Sequence, residues 1–475
     1  MHRLTPDRPW PLFDAASSRA IEKAAGAALP VHALMQRAGL ALARLALALA
    51  PRARCIWIAC GPGNNGGDGL EAARHLTQWG KTVTVTWSGD ERNMPADAEE
   101  SLRQARAAGV VFLASPPPQW DLAIDAMLGL GRGRPLEAAM AEWAGALSGN
   151  SAPVLAVDLP SGLDADTGTS AAVRASHTLS LLTLKPGLFM AGGRDACGEV
   201  WFDDLGVTEP SQQPNAWLGG PAPAAARVHA SHKGNYGDVA IIGGAPGMTG
   251  AALLAASAAL HAGAGRVFAG LLDGGSMAVD VSQPELMFRD WDTLNLAETT
   301  IACGCGGGDA VRAVLPKVLG AAGRLVLDAD ALNAIAADTQ LQSLLMSRSR
   351  RGRVTVLTPH PLEAARLLEA SAAKVQEDRL HAAGVLVERY GCVVALKGSG
   401  SVIAGPGRPP VINPTGNARL STAGTGDVLA GMIAARMAGG APAFEAATGG
   451  VFDHGLAADR WPAGRPLTAS ALARA

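Results

Sequence analysis

Apolar positions along the chain fall into two alternating textures. Residues 33–48 are apolar at helical spacing with few β-branched side chains, which predicts a helix. Short apolar runs at 55–59, 82–86, 110–113, 122–125, 154–158 and 178–182 predict strands, with a further helix near 70–79. Strands alternating with helices imply parallel crossovers, hence a doubly wound α/β sheet. Between 208 and 227 the pattern gives way to TEPSQQPNAWLGGPAPAAAR, which reads as a linker. A second α/β run follows, with strands at 238–242, 266–271, 325–328, 354–357 and 393–396 and helices at 250–262 and 426–437. Domains are therefore expected over 1–210 and 225–475, with no fixed-period repeat.

Composition fits this picture. The 475 residues are 48% hydrophobic and 17% charged, ample for two cores. A net charge of −2 provides no electrostatic footprint for nucleic acid. No apolar run reaches the ~18 residues of a membrane span, and the N-terminus lacks the apolar core of a signal peptide. A cytoplasmic, homo-oligomeric protein acting on small molecules is expected. The six cysteines show no metal-ligand or pairing pattern, so buried reduced thiols are expected, Cys303 and Cys305 included. Of the 40 basic residues only seven are lysines, at 23, 81, 185, 233, 317, 374 and 397. Where Arg carries routine charge, a retained Lys marks a place to look for chemistry.

In the first half, Cys60-Gly-Pro-Gly-Asn-Asn-Gly-Gly-Asp-Gly69 follows a strand and opens a helix. It contains Gly61-x-Gly63-x-x-Gly66, whose glycines are expected to take positive φ or admit a ligand to the backbone. Asp68 would repel a pyrophosphate unless a cation intervened, and the Asn64 and Asn65 amides suit such a cation. A tight turn with left-handed Asn is the plainer alternative. Asp125, before the glycine loop Gly129-Leu-Gly-Arg-Gly-Arg134, and Asp158, before Leu-Pro-Ser161-Gly162, also sit at strand ends. Ligands bind at the carboxyl ends of strands in such sheets, so these loops can converge, although a lone strand-end Asp also serves as a cap. Lys185, in Leu184-Lys-Pro-Gly187, is either a partner of that site or a solvated loop charge.

The second half carries Asn413-Pro-Thr-Gly-Asn417 and Gly424-Thr-Gly-Asp427 before an apolar helix. A Gly-Thr-Gly-Asp turn at a helix start offers backbone N–H groups to an anion and sets a carboxylate beside it. Transfer of a phosphoryl group to a hydroxyl needs that pair. The helix start is expected to favour ionised Asp427. No GxxxxGK[ST] loop exists; Lys397-Gly-Ser-Gly-Ser401 is the alternative phosphate binder, and His360 is a strand-end His of structural or binding character.

CGPGNNGGDGLEAARHL, DAMLGLGRGR, VDLPSG and LTLKPGL, preceded by LMQRAG, resemble the NAD(P)H-hydrate epimerase family across nearly the whole first half. That resemblance implies that Asn64, Asn65, Gly66, Gly67 and Asp68 cradle the substrate, with Gly129, Leu130, Gly131, Arg132, Gly133, Arg134 and Pro135 at its phosphates. It further implies that Asn65, Asp125 and Ser161 hold K⁺ and that Asp158 lies at the nicotinamide ring. The family usually has Thr at the position of Leu130. Epimerisation at C6 needs a proton donor and acceptor, for which Asp158 is the candidate, with Lys185 orienting it or meeting substrate.

HKGNYG, GGAPGMTGAALLAASAALHAGAG, LDADALN, LTPHPLEAARLL, KGSGSVI and NPTGN…AGTGDVLAGMI resemble the ribokinase-like ADP-dependent NAD(P)H-hydrate dehydratase family over about 232–459. By this resemblance Ala251, Gly306, His360 and Asp427 contact the hydrate, and Asp427 is the base. Lys397, Gly398, Ser399, Gly400, Ser401 and Gly426 bind ADP, which arrives with Mg²⁺. The usual Gly-Pro-Gly-Leu-Gly stands here as Gly304-Cys-Gly-Gly-Gly308. The implied protein joins an N-terminal Rossmann-like epimerase to a C-terminal ribokinase-like dehydratase. A ribokinase-like small-molecule kinase with a non-catalytic N-terminal binding module is the alternative.

Overall fold

The computed structural model describes residues 1–130, 136, 138–170, 173–208, 210–222 and 228–475. It divides into two compact units, Met1–Thr5 with Trp10–Ala216 and Pro6–Pro9 with Trp217–Ala475. Part of the expected linker, 223–227, lies outside the described residues.

The first unit is built on an 8-stranded sheet in the order His2–Arg3, Glu199–Asp203, His177–Leu181, Val154–Val157, Leu122–Ala126, Cys55–Cys60, Thr82–Trp87, Val111–Leu113. Every pairing is parallel except that of His2–Arg3 with Glu199–Asp203. The sheet is buried on both faces, which is why its strands read as continuous apolar runs. Ile56 and Ile58 pack with Leu42, Leu45 and Leu70 on one side. Trp57 and Ala59 pack with Trp143 and Leu147 on the other. After Cys55–Cys60 the chain adds two strands outward, then returns to place Leu122–Ala126 on the opposite flank. The carboxyl ends of those two neighbours form the switch point where such sheets bind ligands.

The helix after Cys55–Cys60 spans Asn64–Gln78, so it begins six residues before the predicted start near 70. Asn-Asn-Gly-Gly has weak helix propensity, and close packing overrides it. A Cβ on Gly66 would stand 2.0 Å from the Gly61 carbonyl oxygen, and one on Gly61 1.8 Å from that of Met127. None of Gly61, Gly63 and Gly66 has positive φ, so close approach, not left-handed backbone, requires glycine at 61 and 66.

In the second unit the sheet runs Met287–Phe288, Arg266–Leu271, Asp238–Gly243, Thr300–Cys303, Arg324–Leu327, Val354–Leu357, Val393–Leu396, Val402–Ala404, Val411–Ile412, Ala216–Leu218. It is parallel through Val393–Leu396, and Val402–Ala404 and Val411–Ile412 then form an antiparallel meander. Alanine-rich helices Thr249–His261 and Thr425–Ala438 pack tightly, since a Cβ on Gly431 would lie 2.0 Å from the Ala255 carbonyl oxygen. Among the described residues no helix is long and apolar enough to cross a membrane. Five cysteines are buried as expected, whereas Cys55, the first residue of the interior strand Cys55–Cys60, is exposed.

Candidate active sites

A cavity of about 720 Å³ opens at the switch point of the first unit. Its walls bring together Asn64, Asn65, Asp68, Gly129, Leu130, Asp158 and Lys185 from the separate sequence motifs. Gly66 and Gly67 do not line it and serve packing instead, with a Cβ on Gly67 meeting Met35 Sδ at 2.7 Å. The expected phosphate contacts Gly131, Arg132, Gly133, Arg134 and Pro135 lie outside the described residues.

Asp158 follows strand Val154–Val157 with φ of 64°, and Leu182, which follows the neighbouring strand His177–Leu181, has φ of 63°. Left-handed backbone at non-glycine residues costs about 1–3 kcal/mol each and clusters at functional sites. Lys185 is 1% exposed, which excludes a solvated charge. Its ammonium pairs with Asp158 Oδ1 and donates to the carbonyls of Leu181 and Thr183, both at 2.9 Å. The Leu181 amide donates to the same Asp158 oxygen at 3.1 Å.

Asp125 and Ser161 join beneath the cavity. The Ser161 hydroxyl donates to Asp125 Oδ1 at 2.6 Å, and its amide donates to Oδ2 at 2.8 Å. Burial pushes the Asp125 carboxyl up to about 6, against the lowering by these bonds. Asn65 Nδ2 is buried without a hydrogen-bond partner among the described residues. Its Oδ1 approaches the backbone at Gly129, 3.0 Å from a Cβ built there.

Glu22 was missed from the sequence. It comes from helix Ala15–Ala28, whose N-cap Asp14 accepts from Ser17 N at 2.7 Å. Glu22 Oε1 accepts from Asn64 Nδ2 at 3.4 Å, and Glu22 also lines the cavity. Burial and then Asp158 raise its carboxyl; burial, Glu22 and Asp158 raise that of Asp68 well above the usual range. An N-cap Asp before Ile21 and Ala25 at helical spacing was the available signal.

In the second unit the turns singled out from the sequence also converge. Gly424, with φ of 90°, caps helix Thr425–Ala438 and puts Asp427 in its first turn. Ligand atoms of Asp427, Asp328 and Cys305 lie within 4.8 Å of one another, so Cys305 is not the isolated thiol expected. Lys397 Nζ donates to Asp328 Oδ1 at 2.6 Å, and Thr358 Oγ1 donates to the same oxygen at 2.8 Å. A Cβ on Gly426 would lie 3.3 Å from Lys397 Nζ. One on Gly306 would lie 2.8 Å from the Ala251 methyl, so these two neighbours also meet.

Burial and then the Asp328 charge push the Asp427 carboxyl up to about 7, with Cys305 and Lys397 pulling the other way. The expected ionisation by the helix start is thus outweighed by desolvation. Burial alone would lower the Lys397 ammonium, but Asp328 and Glu363 hold it raised. His360 combines structure with exposure. Its Nδ1 accepts from the Leu362 and Glu363 amides at 3.0 and 3.3 Å, while its ring remains 45% exposed.

Two family models match the chain: the YjeF-related protein N-terminus over residues 31–187 and NAD(P)H-hydrate dehydratase over 239–474. The bifunctional NAD(P)H-hydrate repair enzyme Nnr of Escherichia coli (strain K12) is 36% identical, over 91% of this chain and 85% of that protein. The ADP-dependent (S)-NAD(P)H-hydrate dehydratase of Neisseria meningitidis (serogroup B, strain MC58) is 42% identical, over 49% of this chain and 80% of that protein. A crystal structure of the ADP/ATP-dependent NAD(P)H-hydrate dehydratase from Bacillus subtilis, co-crystallised with ATP/Mg²⁺, is 30% identical with a TM-score of 0.44, covering 53% of this chain and 91% of that one. With both models in order and the long Escherichia coli match, the chain belongs to the family of bifunctional NAD(P)H-hydrate repair enzymes.

Proposed function

We propose that the first unit interconverts the R and S hydrates of NADH and NADPH, and that the second dehydrates the S-hydrate with ADP. The observation that carries this reading is the presence of two chemically complete carboxylate–lysine centres, one in each unit.

In the first, Asp158 exchanges a proton with the C6 hydroxyl as it leaves one face and water returns on the other. Lys185 orients that carboxylate, because the Asp158, Leu181 and Thr183 oxygens take up its donors. The strand-end loops hold the substrate, with Asn64, Asp68, Gly129 and Leu130 on the cavity wall. Asn65, Asp125 and Ser161 fit a K⁺ site: a buried carboxylate that is hydrogen-bonded but has no cation among the causes acting on it, a hydroxyl and an amide oxygen are hard oxygen donors of the kind K⁺ takes. Bound there, K⁺ would supply the missing positive charge and fix the loop.

In the second, Asp427 accepts the proton of the C6 hydroxyl as that oxygen attacks the β-phosphorus of ADP. The P–O bond to AMP breaks. The ring nitrogen lone pair then expels phosphate, and loss of a proton from C5 of the resulting iminium restores the C5–C6 double bond, leaving NAD(P)H, AMP and phosphate. Lys397 and the backbone of Gly398, Ser399, Gly400, Ser401 and Gly426 hold the nucleotide, with Mg²⁺ entering on ADP. Ala251, Gly306 and His360 face the hydrate. The test supplies purified S-hydrate, ADP and Mg²⁺ to the full chain, expecting NADH and AMP in equal amounts; accumulation of a stable phosphorylated product would indicate a kinase instead.

A further inference from the structure

Helix Arg379–Tyr390 begins with a guanidinium that is 1% exposed. Its Nη2 donates to three carbonyls of one short segment, those of Leu396, Lys397 and Gly400, at 3.1, 3.2 and 3.4 Å. Nη1 donates to Gln376 Oε1 at 3.0 Å, and Nε is buried with no partner among the described residues. Burial lowers the guanidinium to about 10, so it remains charged at neutral pH. No carboxylate among the described residues pairs with it.

Buried Arg348 makes an instructive contrast. It too lacks a carboxylate, but it donates to Leu319 and Ala322 at the end of helix Val311–Ala321 at 2.9 and 2.8 Å. The negative end of that helix dipole supplies its counter-charge. Arg379 instead takes as its main-chain acceptors the carbonyls of a strand end and loop, not the last carbonyls of a helix. Its carbonyl contacts have a directional consequence. In a trans peptide the C=O and the following N–H point in opposite directions. Gathering the carbonyls of Lys397 and Gly400 on one side therefore turns the amides of Gly398 and Ser401 to the other, where that of Gly398 donates to Ser401 Oγ at 3.3 Å. Gly398, at φ of 143°, has no room for a side chain, since a Cβ would lie 2.2 Å from Arg379 Nη1.

We propose that Arg379 is the positioning residue of the nucleotide loop, a buried cation that shapes the backbone of 397–401 and whose counter-charge is the phosphate of the bound adenine nucleotide. This rests on the assignment of that loop to ADP given above. A loop whose carbonyls are drawn inward, with a full positive charge beneath it, presents an outer face that favours an anion. It discriminates by phosphate charge while leaving recognition of the nucleoside to other contacts.

The test measures ADP, AMP and adenosine binding by calorimetry in the full chain and in Arg379→Met and Arg379→Lys, with steady-state dehydration alongside. Arg379→Met is expected to raise KM for ADP tenfold or more and to weaken AMP similarly. Adenosine affinity and KM for the hydrate should stay within twofold. Arg379→Lys, which keeps the charge, should recover part of the loss, and it carries the test if the Met variant does not fold. Unchanged ADP affinity in a folded variant would overturn the proposal, as would equal weakening of ADP and adenosine. Hydrogen exchange separates the two layers: if ADP fails to protect amides of 397–401 in the unmodified chain, the loop assignment itself fails. Protection there, with ADP affinity unmoved by Arg379→Met, fails only the role of Arg379.

Discussion

The two centres spend their lysines differently. In the first unit Lys185 bonds directly to Asp158, the carboxylate assigned to proton exchange, and its remaining donors are held by main-chain oxygens. In the second, Lys397 bonds to Asp328 at 2.6 Å, leaving Asp427 exposed to burial and to its neighbour's negative charge. A cation applied to the reacting group fixes that group's position. A cation applied to its neighbour lets the reacting group titrate near neutrality, where a general base is most effective. The chain thus shows two ways of placing a carboxylate, suited to reversible proton exchange in one unit and to proton removal in the other.

Substituting Asp427 should produce the largest effect. Asp427→Asn is expected to cut ADP-dependent dehydration by about 10²–10⁴-fold, while interconversion of the hydrates, followed by chromatography, continues unchanged. Next comes Lys185→Met, which strands Asp158 without its partner. Breaking a buried pair costs about 3–5 kcal/mol, so the thermal transition of the first unit should fall and epimerisation with it. Dehydration of supplied S-hydrate should persist, and adding Asp158→Asn should restore part of the lost stability.

A smaller effect follows from pH. With Asp427 near 7, dehydration should rise as pH passes through that value. Stability should move the opposite way. The folded carboxyl keeps its proton above the unfolded value of 3.8, so folding loses free energy between about 4 and 7. Asp427→Asn should therefore be more stable than the unmodified protein at pH 8 and equal to it at pH 3. The smallest shift concerns K⁺. At pH 8, above the Asp125 value of about 6, K⁺ should raise the melting point relative to a bulky organic cation. The gain should shrink at pH 5 and vanish in Asp125→Asn.

Much of this was legible in the chain. The alternation of apolar runs and helices gave the parallel sheets, because strands buried on both faces must be apolar throughout. Strand-end Asp125 and Asp158 were readable because turns at those ends carry few other carboxylates. Scarcity of lysine singled out Lys185, Lys233 and Lys397; the first and last are partners of buried carboxylates, whereas Lys233 is exposed. Spacing could not show that Lys185 serves Asp158 directly while Lys397 serves Asp328, since 69 residues separate that second pair. Glu22 and Arg379 were hidden for a related reason. Each lies on an ordinary amphipathic helix, and its role arises only where that helix is packed. Cys305 looked isolated because its partners Asp328 and Asp427 come from distant turns. The early start of helix Asn64–Gln78 was masked by its weak propensity, which backbone packing at Gly61 and Gly66 overrides.

The central claim, that one chain performs two successive reactions at these two carboxylates, is tested most directly with a single epimer. Purified R-hydrate of NADH would be supplied with ADP and Mg²⁺, and recovery of reduced nicotinamide followed faster than spontaneous epimerisation allows. The unmodified chain should convert all of it, while Asp158→Asn should stall on the R-hydrate yet convert added S-hydrate at the normal rate. Equal rates of Asp158→Asn and the unmodified chain on R-hydrate would contradict the account.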